Sequence, residues 1–510
     1  MTHRFVSFGA VLAVLAAVAP AALGQVVPVA PKTLPTPLTL QQAISIALAH
    51  QPQQYISKDQ ITQASGRKLQ AQSQYYPTVT PSYSFQNNTQ STFGGTSRTF
   101  TTTDGTTGST TGGTTGTTTG GTTGTTTGGT TGTTTGGTTG TTTGGTTGTT
   151  FTTNSSTYTT TRGGGLTINL SQSLYDGGAR EASNAQARRA VDAAKYNDVN
   201  TRQSTILNAT QAYYQLLLAQ DLVKVSESQV ARFQQTVDVT KAQIDAGATA
   251  AKDIYQAQAD LANAQVTLLQ NQNQIVTSSA ALKNALGVDT SDPVVLAPIS
   301  EGGALPPAPT PEANPLILED ALKTAYDNRP DLRQQAANVE SDRAALQLAK
   351  RNAGFNVTSD YTLSYQATND VGTKGLSTAL TLNGSYPLFD AGNARGAVRI
   401  AQATFDSDTN TLEQQRQDIR RDVEQALSTR NQNLQAAQLA QSAVTAAQVN
   451  YDAVIASRRE GIGTVLDVTT AQATLTQAQN QFVTAVYNSY IADAQLQRAI
   501  GRNDVGVTAP

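Results

Sequence analysis

Four segments of the chain alternate apolar and polar side chains over many consecutive positions. Their apolar members are Val79, Tyr83 and Phe85; Leu166, Ile168 and Leu170; Phe355, Val357, Tyr361, Leu363 and Tyr365; and Leu376, Leu380, Leu382, Tyr386 and Leu388. Successive side chains of a strand point to opposite faces of its sheet. The pattern therefore predicts strands with one apolar and one polar face at 78–91, 162–175, 355–368 and 375–389.

Elsewhere, large apolar residues recur at every seventh position. They are Leu216, Val223, Val230, Val237 and Ile244; Ile254, Leu261, Leu268, Ile275 and Leu282; Val398, Phe405, Leu412 and Ile419; and Val468, Leu475, Phe482 and, after an interruption at Ser489, Leu496. A seven-residue repeat is typical of helices that pack as coiled coils. It predicts long helices at 178–246 and 391–459, with return helices at 249–286 and 464–500. A short and a medium helix are predicted within each of 38–76 and 316–354.

The element order of two helices, two strands and two helices occurs twice. At a constant offset and without a gap, Leu166 to Gly287 overlays Leu380 to Gly501, and Leu174-Tyr175-Asp176 falls on Leu388-Phe389-Asp390. The chain therefore contains an internal duplication.

The duplication divides the chain into repeat 1 at 38–287 and repeat 2 at 316–501. The proline-rich segment at 288–315 links them, and we expect it to be an extended strap on the outside of the helices. The remaining parts are an N-terminal extended segment at 25–37 and a C-terminal tail at 502–510.

The first residues have the three-part pattern of a secretory signal peptide. His3 and Arg4 precede an apolar run, and the small residues Ala22-Leu23-Gly24 follow it. A membrane anchor is the alternative, but the run is shorter than the roughly 20 residues that an anchor needs. We therefore assign 1–24 as a signal peptide and expect export.

The amino-acid composition argues against several classes of protein and of functional site. The absence of cysteine rules out a disulfide framework, and a net charge of −2 gives no reason to expect nucleic-acid binding. His50 is the sole histidine after the signal peptide, and it is better explained by a helix C-terminus than by a metal. Gly163-Gly164-Gly165 introduces a strand, so it is not a dinucleotide loop. We predict that the protein is not an enzyme and has no cofactor.

The predicted strands could form either a soluble half-buried sheet or a transmembrane barrel. Export and strand length favour the barrel, in which the apolar face contacts lipid. Four strands cannot close a barrel, because about eight is the smallest usual number and every backbone group in lipid must be paired. Several protomers must therefore contribute strands to one shared barrel.

The helices are suited to a hollow cylinder. At about 1.5 Å per residue each long helix extends on the order of 100 Å. The return helix is too short to cover that length. Each long helix would therefore be paired with two shorter helices stacked end to end. The surface between the apolar positions is rich in Ala, Gln, Ser and Asn, so helices can approach on more than one side.

The chain resembles the TolC-like outer-membrane efflux proteins from Leu38 to about Gly501, outside a Thr/Gly tract. The resemblance rests on Leu174 to Gly178 and Leu388 to Gly392 after the strands, and on Gly247 to Gln258 and Gly461 to Gln472 at the helical tips. These motifs occur twice at matched spacing.

The resemblance implies a homotrimer in the outer membrane of a Gram-negative bacterium. Each protomer would give four strands to a shared 12-stranded β-barrel, and its helices would form an α-barrel across the periplasm. The implied function is the exit duct of a tripartite efflux pump or type I secretion system. A periplasmic adaptor and an inner-membrane transporter of the RND, ABC or MFS class are the implied partners.

The resemblance also indicates a periplasmic gate. Asp467 matches a family aspartate of the constriction, and Asp253 matches a family acid that takes part in polar links between helices. Thr470 stands where the family has a second acid, and Gly463 stands where it has a basic link residue. Arg458, Arg459 and Glu460, just before the tip, are the candidate replacements, and solvated charges at helix ends are the alternative for the charged residues of the gate.

Glycines and small residues mark the other candidate sites. We expect tips that contact the adaptor at Gly247, Ala248, Gly461 and Gly463, and strand–helix junctions at Asp176, Gly178, Asp390 and Gly392. Helix capping is the favoured role of the two aspartates.

The Thr/Gly tract repeats an eight-residue unit that begins at Gly112. We predict a disordered extracellular loop at 92–161, because such a composition cannot build a core. A tolerated expansion is the simpler explanation, and a glycosylated or adhesive loop is the other. A cell-surface stalk or adhesin that displays this tract is therefore the alternative function.

Overall fold

The computed structural model describes residues 34–93, 96–102, 157–247, 250–289, 293–297, 306–307, 309, 316–368, 374–460 and 462–502. The predicted signal peptide at 1–24 lies outside these residues, as do most of 25–37, most of the Thr/Gly tract, much of the linker and almost all of the C-terminal tail.

Each repeat folds as two helices, strands and two helices. Repeat 1 contains α1 Leu40–His50, α2 Pro52–Ser73, β1 Thr78–Phe93, β2 Thr96–Thr102, β3 Thr157–Tyr175, α3 Ala179–Asp245 and α4 Asp253–Leu286. Repeat 2 contains α5 Leu318–Asn328, α6 Pro330–Arg351, β4 Asn356–Thr368, β5 Lys374–Ser385, α7 Asn393–Arg459 and α8 Val465–Ala499.

Prolines separate the first two helices of each repeat. Gln51 and Arg329, which precede Pro52 and Pro330, have extended backbones with ψ of 123° and 120°. A proline disfavours the helical conformation of the residue before it, and it is well suited to the first position of a new helix.

The strands form one antiparallel sheet in the order β2-β1-β3-β4-β5. Its register places apolar residues of four strands in rows: Val79, Leu170, Tyr361 and Leu380 form one row, and Tyr83, Leu166, Tyr365 and Leu376 form another. Tyr83 is 73% exposed and Leu376 is 69% exposed, so the apolar face of the sheet is uncovered in the single chain.

Two strand predictions need correction. The segment 92–161 was expected to be a loop, but β2 lies within it and pairs with Asn87–Phe93, and β3 already begins at Thr157. The alternation of apolar residues could not show this, because Thr and Gly give no such pattern. In repeat 2, β5 ends at Ser385 rather than at 389, because Pro387 cannot donate a backbone hydrogen bond.

The chain divides into two compact units. One comprises 69–184 and 346–399 and contains the sheet; the other comprises 1–68, 185–345 and 400–510 and contains most of the helical residues. In the helical unit, Leu38, Leu216, Leu282 and Leu286 are fully buried in one core cluster. A second cluster contains Ala321, Ile419, Val423 and Leu496. The heptad positions of α8 are also buried: Val468, Leu475, Phe482 and Leu496 are at most 4% exposed.

Part of the linker belongs to the first of these clusters. Leu38 donates its N–H to the carbonyl of Val295 over 2.8 Å and accepts from the N–H of Ala297 over 2.9 Å. Val294 and Leu296 are buried beside it. Within the described residues, none of the helices has an apolar stretch of the length that crossing a membrane requires.

Candidate functional site

Aspartates fix the junctions where the strands lead into the long helices. Asp176 accepts from the N–H groups of Gly178 over 3.0 Å and Arg180 over 2.8 Å. Asp390 makes the matching contacts with Gly392 over 3.0 Å and Ala394 over 2.7 Å. These carboxylates satisfy N–H groups that the first turn of a helix leaves free.

The capping contacts favour ionised carboxylates. Burial alone would raise the pKa of Asp176, but the hydrogen bonds from Arg180 and Gly178 and the charge of Arg180 outweigh it and lower the pKa. At Asp390 the N–H groups of Ala394 and Gly392 lower the pKa of an exposed carboxyl. Both groups are therefore anions at neutral pH.

The junctions also require unusual backbone angles. Gly178 and Gly392 have φ values of +87° and +91°, in the left-handed region that glycine tolerates best. A Cβ at Gly178 would collide with the Arg351 guanidinium, whereas nothing lies within 4 Å of a Cβ at Gly392. Ala391 adopts φ +53°, in a position where repeat 1 has Gly177.

Glycines end the helices at the tips as well. Gly247 has φ +72° and donates its N–H to Ile244 over 2.9 Å, which closes the last turn of α3. A Cβ at Gly463 would lie 3.1 Å from the backbone nitrogen of Arg458, so the chain turns tightly there. The other predicted tip residues, Ala248 and Gly461, lie outside the described residues.

Asp467 caps the start of α8. Its carboxylate accepts from the N–H of Thr464 over 2.9 Å and from its hydroxyl over 2.7 Å, while that hydroxyl accepts from the N–H of Asp467 over 3.1 Å. This reciprocal arrangement is a capping box. The hydrogen bonds from Thr464 lower the pKa of this exposed carboxyl.

Arg458 joins the end of α7 to its neighbours. Its Nη2 donates to Oε1 of Gln243 on α3 over 2.6 Å, and its Nη1 donates to the carbonyl of Gly463 over 3.4 Å. Burial lowers the pKa of Arg458, and the charge of Asp253, the first residue of α4, opposes that shift. No ion pair within 4.0 Å joins Asp253 to an arginine in the described part of the chain.

The sequence could not identify Gln243 as the partner of Arg458. It is one of many glutamines on the helices, and no charge or spacing distinguishes it. Within this chain, the cross-helix contact of Arg458 is therefore a hydrogen bond to a neutral amide.

A cavity of about 260 Å³ lies beside Arg458, between α3, α7 and α8. The charged residues that line it are Arg232, Asp452, Arg458 and Arg459. Its other walls are Gln235, Thr236, Val239, Tyr451, Ile455, Val468 and Gln472. Among the described residues no group of three or more His, Asp or Glu could hold a metal ion, and His50 is the last residue of α1.

The sequence matches the outer membrane efflux protein family over residues 130–288 and 321–502, which is more than half of the chain. Outer membrane efflux protein BepC of Brucella suis biovar 1 is 26% identical over 353 residues, or 66% of this chain and 72% of that protein. Outer membrane protein TolC of Vibrio cholerae is 24% identical over 343 residues, or 66% of this chain and 76% of that protein.

The fold is similar to that of solved outer membrane channels. The crystal structure of the Campylobacter jejuni CmeC outer membrane channel superposes with a TM-score of 0.67 at 14% identity, over 91% of this chain and 85% of that one. The predicted fold class, with long helices and a four-stranded antiparallel sheet built from two repeats, is confirmed, and β2 is an addition to it.

Proposed function

Because this chain belongs to the outer membrane efflux protein family, and is a non-enzymatic TolC-like channel of the Gram-negative outer membrane, we propose that it is the exit duct of a larger export machine. The machine is a tripartite efflux pump or a type I secretion system. The duct receives its cargo from a periplasmic adaptor and an inner-membrane transporter of the RND, ABC or MFS class. The energy for export comes from that transporter.

Channels of this family are trimers. In our proposal the three chains share one 12-stranded barrel, and the observation that carries it is the unpaired edges of the sheet. Among the described residues, β5 is an edge strand and β2 covers only the Asn87–Phe93 part of the other edge, so on that side Thr78 to Gln86 of β1 have no strand partner. Since lipid offers no partner for N–H and C=O groups, both edges need a strand from another chain.

Exposed apolar residues of the helices support the same assembly. Val266, Leu269 and Val276 on α4 are 53%, 65% and 66% exposed, and Leu439 and Val449 on α7 are 72% and 64% exposed. Such rows are typical of helices that pack against a further helix. We propose that α4 and α7 of adjacent protomers cover one another.

Disulfide crosslinking tests the shared barrel. Because the chain has no cysteine, single cysteines at β1 positions such as Ser82 and Ser84 can be combined with others at β5 positions such as Ser377 and Ser385. Oxidation should convert a matched pair into covalent trimers on a denaturing gel. Cysteines at Thr167 and Ser364, which pair within one sheet, should crosslink only within a chain. A detergent-purified monomer with a closed barrel of its own would refute the proposal.

We further propose that the tips are the gate and the adaptor-binding surface. Tyr255, Ile462 and Leu466 are 72%, 78% and 67% exposed there, as expected of a surface that a partner covers. In a trimer, three Asp467 carboxylates around the axis would attract cations. Crosslinking in cells from Ile462, followed by mass spectrometry of the trapped chain, tests for the adaptor.

A further inference from the structure

The cavity beside Arg458 concentrates positive charge. Three arginines and one aspartate line it, and no ion pair within 4.0 Å involves any of the three arginines in the described part of the chain. The one carboxylate in the wall, Asp452, is exposed and accepts a hydrogen bond from Gln448 of its own helix over 3.0 Å. Asp253 acts on Arg458 from beyond ion-pair distance. The cavity therefore carries an uncompensated positive charge.

Two of the arginines, Arg232 and Arg458, are also partly buried. Arg232 donates its Nη2 to the neutral side chains of Thr476 over 3.2 Å and Gln479 over 3.4 Å, while its buried Nε has no hydrogen-bond partner among the residues that the structure describes. Burial lowers the pKa of both Arg232 and Arg458. A buried cation that lacks a counter-charge is unfavourable, and an anion in the cavity would remove that cost.

One residue of the cavity wall also has an unsatisfied acceptor. Gln472 on α8 is 1% exposed and donates its Nε2 to the carbonyl of Arg232 over 3.3 Å and to the hydroxyl of Thr236 over 3.0 Å. Its Oε1 has no hydrogen-bond partner within the described part of the chain. A ligand that suits the cavity therefore has oxygens for the guanidinium groups and an O–H for this amide oxygen.

We propose that this cavity is a binding site for a small oxyanion of the hydrogen phosphate type. Guanidinium groups bind oxyanions through paired N–H donors, and the protonated oxygen supplies the donor that Gln472 lacks. The ligand comes from solution and contacts α3, α7 and α8 of one chain, so it holds these three helices together next to the tip. This site does not depend on the exported cargo.

Equilibrium dialysis of radiolabelled inorganic phosphate against the detergent-purified full-length protein tests the site. We expect saturable binding of one phosphate per chain. Arg232→Gln and Arg458→Gln should each weaken binding by about tenfold or more, because a hydrogen bond to a charged group contributes about 1.5–3 kcal/mol. Arg458→Lys, which keeps the charge, should retain part of the affinity.

Arg416→Gln is the matched control, since Arg416 is on α7 but outside the cavity and pairs only with Glu413 of the same helix. It should leave phosphate binding unchanged. Circular dichroism establishes whether each variant is folded. Gln472→Leu removes the amide without removing a charge, so it tests the site even if an arginine variant does not fold. Absence of saturable binding, or equal binding by the wild type, Arg232→Gln and Gln472→Leu, would overturn the proposal.

The same variants also test whether acidic side chains of a neighbouring copy, rather than phosphate, supply the negative charge in the cavity. If acidic side chains of a neighbouring copy occupied the cavity, Arg232→Gln would loosen the trimer to the same extent with and without phosphate. Heat dissociation of the trimer at several phosphate concentrations distinguishes these cases. A phosphate-dependent increase in the wild-type dissociation temperature that Arg232→Gln lacks would support the proposal.

Discussion

Arg458 reaches across the tip to α3 with a single side chain, and its strongest contact is the 2.6 Å hydrogen bond to Gln243. A hydrogen bond that involves a charged group is worth about 1.5–3 kcal/mol, enough to shift a closed–open equilibrium by about tenfold or more. We therefore expect Arg458→Ala and Gln243→Ala to raise the conductance of single channels in planar bilayers. Asp253→Ala should raise it less, because Asp253 acts on Arg458 only through its charge.

The control for these variants is Arg420→Ala. Arg420 is exposed on the same helix and pairs only with Glu424, four residues further along. Its removal should leave conductance unchanged. Unchanged conductance in both Arg458→Ala and Gln243→Ala would exclude this contact as a part of the gate.

Asp342 on α6 should make the stability of the protein depend on pH. Burial, a hydrogen bond with Asp408 of α7 and the charge of Asp408 raise its pKa to about 6. An acid whose pKa is raised on folding has no effect on stability while it is protonated in both states, and it destabilises the folded state increasingly as the pH rises from its ordinary pKa to above the raised one. The wild type should therefore dissociate at a higher temperature at pH 5 than at pH 7.5.

Asp342→Asn should reduce that difference, because the amide stays neutral at both pH values. Asp406→Asn, which changes an exposed residue of α7 that bonds only to Gln402, is the control and should keep the difference. The idea fails if Asp342→Asn and Asp406→Asn show the same pH dependence as the wild type.

At the scale of elements, the junction between β5 and α7 offers a test of backbone conformation alone. Gly392 and Gly396 both have open space where a Cβ would be, but only Gly392 has a positive φ. Alanine in the left-handed region costs about 1–2 kcal/mol, whereas alanine in place of a helical glycine gains about 0.5–1 kcal/mol. Gly392→Ala should therefore lower the temperature at which the trimer dissociates, and Gly396→Ala should raise it.

Each of these variants is the control for the other, since both substitutions add one methyl group without a contact. Equal shifts in the same direction would show that the positive φ of Gly392 contributes nothing. Ala391, with φ +53°, shows that this junction accepts one strained residue beside it.

The sequence predicted the elements well wherever their periodicity is set locally. The heptads of α8 identify residues that the structure buries, and the alternation in β1, β3 and β4 identifies residues that it places on one face of the sheet. Elements without such a pattern were missed or misjudged. β2 has a single large apolar residue, Phe100, and forms through pairing with β1, and β5 ends early because of Pro387.

In the candidate site, only the residues that charge or helix capping identifies could be predicted from the sequence. The capping aspartates could be predicted, since a carboxylate before a helix has few other partners. The contacts of Arg458 with Gln243, and of Arg232 with Thr476, depend on how α3 packs against α7 and α8. Neutral side chains on long polar helices give no signal of such long-range contacts.

At the scale of the whole molecule, the two repeats differ in the Thr/Gly tract, which is present in repeat 1 and absent from repeat 2. β1 and β3 pair as far as Thr92 and Thr157, so the segment between them begins and ends at adjacent strands. Removing residues from within such a connection changes its closure entropy only slightly, because the cost grows slowly with length. The fold of the sheet should therefore not require the full tract.

We predict that deletion of Gly112 to Thr150 leaves export intact. A strain that lacks the chromosomal copy would be complemented with the full-length or the shortened chain, and drug resistance and secreted protein would be compared at equal amounts in the outer membrane. A shortened chain that assembles but fails to restore export would show that the tract takes part in transport. Loss of adherence with normal export would instead assign the tract a surface role that is separate from the duct, as expected if export depends on the strands and helices that the repeats share.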